Sequence, residues 1–249
     1  MKNKITTFCA IILLSFSLNG QEEKRQNFIA IGANYGLNQS FGDLSDRFGT
    51  HFQAGISLDL YKEKINTIFS IEGAILFGDN VKEDVFANLR LENGSVLGSD
   101  GGLVDVFLRQ RGTYLGLMGN KIVLKSQKNP YSGLALGLGI GVLQHNIRIQ
   151  VDTNNAPQFN GNYGKGYDRN TMGFALKQQI GLMSLSKNKR INFELALNLT
   201  EGFTKNTRAI NFDTGLKDDK SRIDIIIGLD FKWMIPLKSQ YDKDEEIFY

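Results

Sequence analysis

The feature that most constrains the fold of this chain is an alternation of apolar and polar side chains, clearest in residues 222–237. Every second residue of Ile223–Ile235 is apolar, whereas the intervening positions include Asp224, Asp230 and Lys232. Successive side chains of a β-strand point to opposite faces, so this period predicts a strand between an apolar and a polar environment. A strand of a soluble sandwich and a strand that crosses a membrane both meet this description.

Seven further segments alternate in the same way, the first and the fourth less regularly than the others. Each is close to the length that a tilted strand needs to cross a bilayer. The seven candidate strands are residues 27–38, 52–61, 69–77, 113–125, 132–142, 174–182 and 191–200.

The segments between these strands alternate strictly between long and short. The long ones are residues 39–51, 78–111, 152–171 and 204–221, and the short ones are residues 62–66, 126–131 and 186–190. Long external loops and short periplasmic turns are typical of bacterial outer-membrane barrels. We therefore predict an all-β fold, an eight-stranded antiparallel transmembrane β-barrel, in the outer membrane of a Gram-negative bacterium; a soluble sandwich is the alternative.

The N-terminus and the ends of the barrel divide the chain into four parts. Residues 1–20 have the basic, apolar and small-residue regions of a secretory signal peptide. Residues 21–26 are expected to be a periplasmic segment, 27–237 the barrel, and 238–249 a charged periplasmic tail. No later apolar run is long enough for a membrane helix, which leaves the closed barrel as the route into a membrane.

Composition excludes several classes of function. The only cysteine, Cys9, lies inside the apolar region of the signal peptide, so the mature chain is expected to have no lipid anchor, disulfide or cysteine-bound metal. Loss of Lys2 and Lys4 with the signal reduces the formal net charge from +3 to about +1. We expect no cofactor and no nucleic-acid partner.

The polar faces of the strands place ionisable side chains inside the barrel. Eight strands enclose a space that side chains just fill, so we predict a charge network that plugs the lumen; a proton or ion path is the alternative. The predicted network consists of Asp59, Glu72, Lys177, Glu194, Asp224, Asp230 and Lys232. Phe231 and Trp233, on the opposite face of the last strand, are predicted to form an aromatic girdle at the periplasmic interface.

The two histidines, His51 and His145, are predicted to lie near the outer rim of the barrel. Rim enzymes that act on lipid A or peptides use His, Ser and carboxylates, but here the neighbouring residues do not form such a pattern. Two histidines at a polar rim are the favoured interpretation, and we predict no enzyme.

The second long loop is the best candidate for a partner contact. It has apolar residues at helical spacing followed by a second amphipathic segment, so part of it is expected to fold over the barrel mouth. The candidate contact residues are Val81, Val85, Phe86, Leu89, Val104, Phe107 and Leu108.

Four stretches carry a resemblance to a protein family. They are "NGQ" at the cleavage site, "FIAIGANYG", "GDLSDRFGTHFQAGISLDL" and "GLDFKWMIPL". Together they resemble the small outer-membrane β-barrel proteins of Bacteroidota-type envelopes. The resemblance implies outer-membrane lipid and the envelope assembly machinery as partners. It also implies a place in a larger outer-membrane complex such as that of type IX secretion or gliding motility.

We therefore expect a non-enzymatic barrel that is a structural or accessory component of an outer-membrane complex. Two alternatives stay open. One is a barrel that binds or transports a small apolar ligand, because the glycine-rich fifth strand leaves space inside. The other is the rim enzyme.

Overall fold

The computed structural model describes residues 27–127, 129, 131–151, 156, 159, 161–186 and 192–239. The predicted signal peptide, the N-terminal segment 21–26 and the tail from residue 240 onward lie outside the described residues.

Eight long strands make up most of the described chain. They are β1 Phe28–Gly42, β2 Thr50–Lys62, β3 Thr67–Gly78, β6 Val106–Lys125, β7 Gly133–Val151, β8 Thr171–Leu185, β9 Asn192–Asn206 and β10 Ser221–Ser239. Two short strands, β4 Val96–Leu97 and β5 Leu103–Val104, pair as a hairpin inside the second long loop. The helical parts are a one-turn α-helix, α1 Gly161–Gly164, and 3-10 turns at Asp43–Asp46, Glu63–Ile65 and Ala87–Leu89.

The eight long strands close into a barrel in which each strand is antiparallel to both neighbours. The ring closes where β1 pairs with β10, from Phe28 opposite Ser239 to Gly42 opposite Asp224. Closure gives the backbone groups of every strand a partner and removes sheet edges, which a hydrocarbon environment requires. The predicted fold class is confirmed.

Outward apolar side chains occur on every strand of the barrel, with a few polar ones among them, such as Gln178 on β8 and Glu201 on β9. On β10, six of the seven outward side chains from Ile223 to Ile235 are 44–53% exposed and the seventh, Ile225, is half-buried, while Asp224 and Lys232 between them are buried. Leu138 on β7 and Leu182 on β8 are 73% and 61% exposed. A closed barrel with this surface is stable in lipid, so the chain spans the outer membrane. In the described part of the chain, no helix is long and apolar enough to cross a membrane.

The second loop differs from its predicted outline. Strand β6 begins at Val106, so Phe107 and Leu108 belong to the barrel wall and not to the loop. The helical spacing of Val81, Val85 and Leu89 does not produce an α-helix: Val81 forms an isolated β-bridge, Val85 lies in a turn, and Leu89 ends a 3-10 turn. The spacing of the apolar residues instead reflects an irregular loop in which Val81, Val85 and Phe86 pack against the apolar cluster at the barrel mouth.

The interior of the barrel has three layers. An apolar cluster fills the periplasmic end, polar and charged side chains fill the middle, and a second apolar cluster fills the outer end beneath the long loops. The periplasmic cluster contains Phe28, Tyr61, Ile68, Ile122 and Met234, and the outer cluster contains Phe48, Phe86, Tyr114, Leu143 and Ile147.

The inward glycines of β7 do not open space in the lumen. A Cβ atom on inward Gly137 would lie 1.8 Å from Asn120 Oδ1, and one on Gly139 would lie 2.6 Å from Met118 Sδ. A Cβ on Gly141 would meet the Tyr114 ring at 2.9 Å. Side chains of β6 therefore occupy the space that the glycines of β7 leave.

We expect Gly137→Val to destabilise the barrel by about 1–3 kcal/mol, because the added side chain collides with Asn120 and Met118. The measurement is urea unfolding of the protein in lipid vesicles. Leu138→Val, one residue away on the lipid face, is the matched control and should change the unfolding free energy far less. Equal effects of the two substitutions would contradict the close packing of β7 against β6.

Candidate functional site

Two ion pairs form the centre of the polar layer in the lumen. Lys232 Nζ lies 2.7 Å from Asp59 Oδ1, and Lys177 Nζ lies 2.9 Å from Glu72 Oε1. Ser57 donates a further hydrogen bond to Asp59 at 3.0 Å. All four charged side chains are buried, so each charge is offset by a direct partner and not by bulk water.

Amide side chains donate hydrogen bonds to the other two carboxylates of this layer. Gln179 Nε2 donates to Glu194 at 2.6 Å, and Gln53 Nε2 donates to Asp230 at 2.5 Å. Asn38 in turn donates to Gln53 at 3.2 Å. The structure thus places six of the seven predicted network residues in the same polar layer, where they form four hydrogen-bonded groups and five of them line one small cavity.

The seventh residue, Asp224, lies apart from this layer at the outer end of the lumen. It is fully buried and bonds His145 Nε2 at 2.8 Å and the hydroxyl of Thr204. Asp224 lies at the outer end of the lumen because it is close to the start of β10, where it is opposite Gly42 at the end of β1.

The polar layer is sealed at both ends. The cavity lined by Asn34, Glu72, Glu194 and their neighbours has a volume of about 10 Å³, which is about one water molecule. Buried Tyr61 and Met234 lie on its periplasmic side, and Leu143 and Ile147 lie on its outer side. The described lumen is therefore a packed plug, as the barrel size requires.

The histidines correct the prediction of a polar rim. Both lie at the outer end of the barrel, but both point inward and are buried, at 1% exposure for His51 and 2% for His145. Ser40 Oγ lies 3.4 Å from His51 Nδ1, whereas Asp224 bonds the other histidine. Phe48 packs edge-on against the ring of His145, with centroids 5.7 Å apart. Serine, histidine and carboxylate are thus divided between two separate pairs beneath an apolar cover.

One chain of ion pairs connects all four long loops above the mouth. Arg47 of the first loop bonds Glu83 of the second at 2.7 Å, and Glu83 also bonds Arg169 of the third at 2.6 Å. Arg169 completes the chain with Asp213 of the fourth loop at 2.5 Å. We call the described parts of the loops joined in this way, residues 43–49, 79–105, 156, 159, 161–170 and 207–220, the cap.

Further contacts fix the geometry of the cap. Arg47 Nη1 donates to the carbonyl oxygen of Arg169 at 3.2 Å and to Thr171 Oγ1 at 3.0 Å. Two nitrogen atoms of the Arg208 guanidinium group, Nε and Nη2, donate hydrogen bonds to the two carboxylate oxygens of Asp168. Below these charges, an aromatic cluster joins three of the loops: Phe86, Phe159, Tyr167 and Phe212.

The charges of the cap determine how its carboxylates titrate. Burial by itself raises the pKa of Glu83, but the charges and hydrogen bonds of Arg47 and Arg169 outweigh burial and hold that pKa below its ordinary value. Asp213 follows the same pattern, with burial opposed by the stronger effect of Arg169. Both carboxylates are therefore ionised in the folded cap at neutral pH.

The predicted partner residues divide into two groups. Val85, Phe86 and Val104 are at most 3% exposed and pack inside the cap, with Val81 and Leu108 partly buried against them. Leu89 and Phe107 are 43% and 44% exposed. The sequence pattern located the apolar content of the loop, but most of that content forms the core of the cap and is not available to a partner.

The predicted aromatic girdle residues point away from the lumen. Phe231 and Trp233 are 49% and 52% exposed, near the periplasmic end of β10. Phe193 on β9 stacks on Phe231, with ring centroids 6.2 Å apart. A second row, Tyr35, Phe52 and Phe77, lies outward toward the other end of the barrel.

Comparison with known proteins identifies no family. No family model matches the chain, and no curated protein matches it. Among solved structures, the Neisserial surface protein A is similar at 10% identity and a TM-score of 0.44, over 83% of this chain and 96% of that one. Ail, the attachment invasion locus protein of Yersinia pestis, is similar at 7% identity and a TM-score of 0.42, over 84% and 99%. The outer membrane protein OprG from Pseudomonas aeruginosa is similar at 15% identity and a TM-score of 0.37, over 87% and 99%. Because these sequence identities and TM-scores are low, the fold is assigned from the strand pairing of this chain and not from the similar structures.

We expect Lys177→Met to destabilise the protein by about 3–5 kcal/mol, because Glu72 would remain buried without its partner. The double variant Lys177→Met with Glu72→Gln removes both charges and should recover most of that loss. Urea unfolding in lipid vesicles measures both. A double variant no more stable than the single one would show that the pair is not the cause.

We expect the cap to loosen in acid. Because the pKa values of Glu83 and Asp213 are lower in the folded cap than in free chain, their contribution is present above about pH 4 and is lost as the pH falls through the depressed values. A spin label on Glu92→Cys in the cap should become more mobile below about pH 4. A label on Lys64→Cys, in a periplasmic turn, is the control. Constant mobility of the cap label down to pH 2.5 or so would contradict the role of these carboxylates.

Proposed function

We propose that this chain is a non-enzymatic outer-membrane barrel that serves as a structural or accessory component of a larger outer-membrane complex, with the cap as its docking surface. The observation that carries the proposal is a pair of exposed leucines on the β4–β5 hairpin. Leu97 and Leu103 lie directly opposite each other in that hairpin and are 55% and 60% exposed.

The position of these leucines makes their exposure unusual. The hairpin belongs to a loop that follows the outer end of β3, so it projects into water and not into lipid. Further exposed apolar side chains occur elsewhere on the cap, namely Leu91, Tyr163, Ile210, Phe212 and Leu216. Apolar surface of this kind on the outside of a soluble region is typical of protein contact sites.

The rigidity of the cap favours docking. Because Arg47, Glu83 and Arg169 hold the loops together before a partner arrives, little conformational entropy is lost on binding. A loop that had to order itself on the partner would bind more weakly for the same contact area.

The two alternatives have less support. A carrier of an apolar ligand needs space in the lumen, but the glycine-rich strand β7 is packed against Asn120, Met118 and Tyr114. A rim enzyme needs a nucleophile and base open to substrate, but His51 and His145 are buried and belong to separate pairs. The association with type IX secretion or motility comes from the sequence resemblance and is part of the proposal.

The test is recovery of the tagged protein from its own outer membrane in mild detergent, with mass spectrometry of the proteins that remain bound. We expect stoichiometric partners from the envelope. The double variant Leu97→Glu with Leu103→Glu should lose them, because it replaces the apolar contact with charge.

A matched variant controls for the added charge. Asn88→Glu with Ala209→Glu adds the same two negative charges at exposed cap residues without removing a large apolar side chain, and it should retain the partners. Recovery of the wild-type barrel alone would contradict the proposal. Loss of partners in both variants would attribute binding to charge and not to the leucines.

A further inference from the structure

Three arginines form a cluster on the outside of the barrel wall. Arg109 and Arg111 are two residues apart on β6, so their side chains leave the same face of the strand. Arg148 of β7 lies directly opposite Arg109. The inward positions beside them, Gln110 and Ile147, are fully buried, so the three arginines point away from the lumen.

The cluster lies just beyond the lipid-facing band. Moving outward along β6, Leu117 and Leu115 are 55% and 63% exposed, followed by Thr113 and then by Arg111. At a rise of about 3.3 Å per residue and the usual tilt of barrel strands, Arg111 is about 10 Å above Leu115. This is the depth of the lipid headgroups, and a long arginine side chain can extend further toward them.

The aromatic row confirms that this height is an interface. Phe77 of β3 lies opposite Arg111, and its ring is 6.1 Å from Phe52 and 6.5 Å from Tyr35. Aromatic rings of outer-membrane barrels gather where the hydrocarbon meets the headgroups. The arginines continue this row onto the next two strands.

The positive charge of the cluster is poorly neutralised by the protein. Arg109 contacts Asp79 at 3.3 Å, but Asp79 is 80% exposed and such pairs contribute little. Arg111 donates to the carbonyl oxygen of Gln110 at 2.7 Å, and its charge is repelled by those of Arg109 and Arg148. Among the described residues, no carboxylate lies within ion-pair distance of Arg111 or Arg148.

We propose that Arg109, Arg111 and Arg148 form a binding site for the phosphate groups of a glycolipid in the outer leaflet of the membrane. The planar guanidinium group bonds phosphate through two parallel hydrogen bonds, and three such groups match a headgroup with more than one phosphate. The site is on the wall beside lipid and not on top of the cap, which favours a membrane lipid over a soluble anion. It is independent of the docking function proposed for the cap.

The test uses the folded full-length protein in phosphatidylcholine nanodiscs that contain a small fraction of diphosphoryl lipid A. Native mass spectrometry measures how much lipid A stays bound. We expect the triple variant Arg109→Gln, Arg111→Gln, Arg148→Gln to retain it about tenfold more weakly than wild type.

The control is a second triple variant, Lys165→Gln, Lys205→Gln, Lys217→Gln, which removes the same charge from exposed residues elsewhere. It should retain lipid A as wild type does. Equal retention by the arginine variant, or equal loss in both variants, would overturn the proposal. Displacement of lipid A from the wild type by inositol hexakisphosphate at matched phosphate concentration would also overturn it, because the site would then prefer a soluble anion.

Discussion

The hydrogen bonds between β1 and β10 are the constraint on which the rest of this structure depends. They close the sheet, and closure is what allows a polypeptide backbone to lie in hydrocarbon without unpaired donors and acceptors. Closure at eight strands also sets the width of the lumen, which is small enough for side chains to fill. The antiparallel order then places all four long connections at the same end, where they can form one cap.

The layered interior explains how buried charges are tolerated. Because apolar clusters close both ends, the charges of the middle layer cannot be hydrated from either side. Each must therefore find a partner within the barrel, as Lys232 does with Asp59 and Lys177 does with Glu72. An ion path would need hydrated gaps through the same layer, whereas the cavity in this layer has room for about one water molecule.

Much of the fold follows from the sequence, because strand faces and loop lengths are local properties. Asp224, Asp230 and Lys232, which the two-residue period assigns to the inner face of the last strand, are buried, whereas Ile223 on the outer face is exposed. Local pattern fails where contacts are distant in the chain. The chain of ion pairs joins Arg47, Glu83, Arg169 and Asp213, and nothing in the sequence around any of them identifies its partner.

The same limit explains the errors in the second loop and at the histidines. The apolar residues of the loop have helical spacing, but their positions are set by the mouth of the barrel and by Phe159 and Tyr167 from another loop. The sequence pattern places the histidines at the outer end of the barrel, where the structure also has them. Their burial could not be predicted, because it depends on Phe48 folding across the barrel mouth. The sequence alone does not reveal the arginine cluster. Arg148 comes to lie beside Arg109 only through the register of β6 against β7, which the sequence pattern does not specify.

The outer end of the barrel wall differs from one side to the other, because the three arginines lie on one side of the ring only. In the order of the strands around the ring, the β6–β7 wall with the arginines is diametrically opposite the β1–β10 seam. At the outer end of that seam Phe41, Ile223 and Ile225 face outward, with Gln39 of β1 as a polar side chain among them. A lipid held by phosphate on one wall would leave the seam as the wall along which a protein neighbour can pack without displacing bound headgroups.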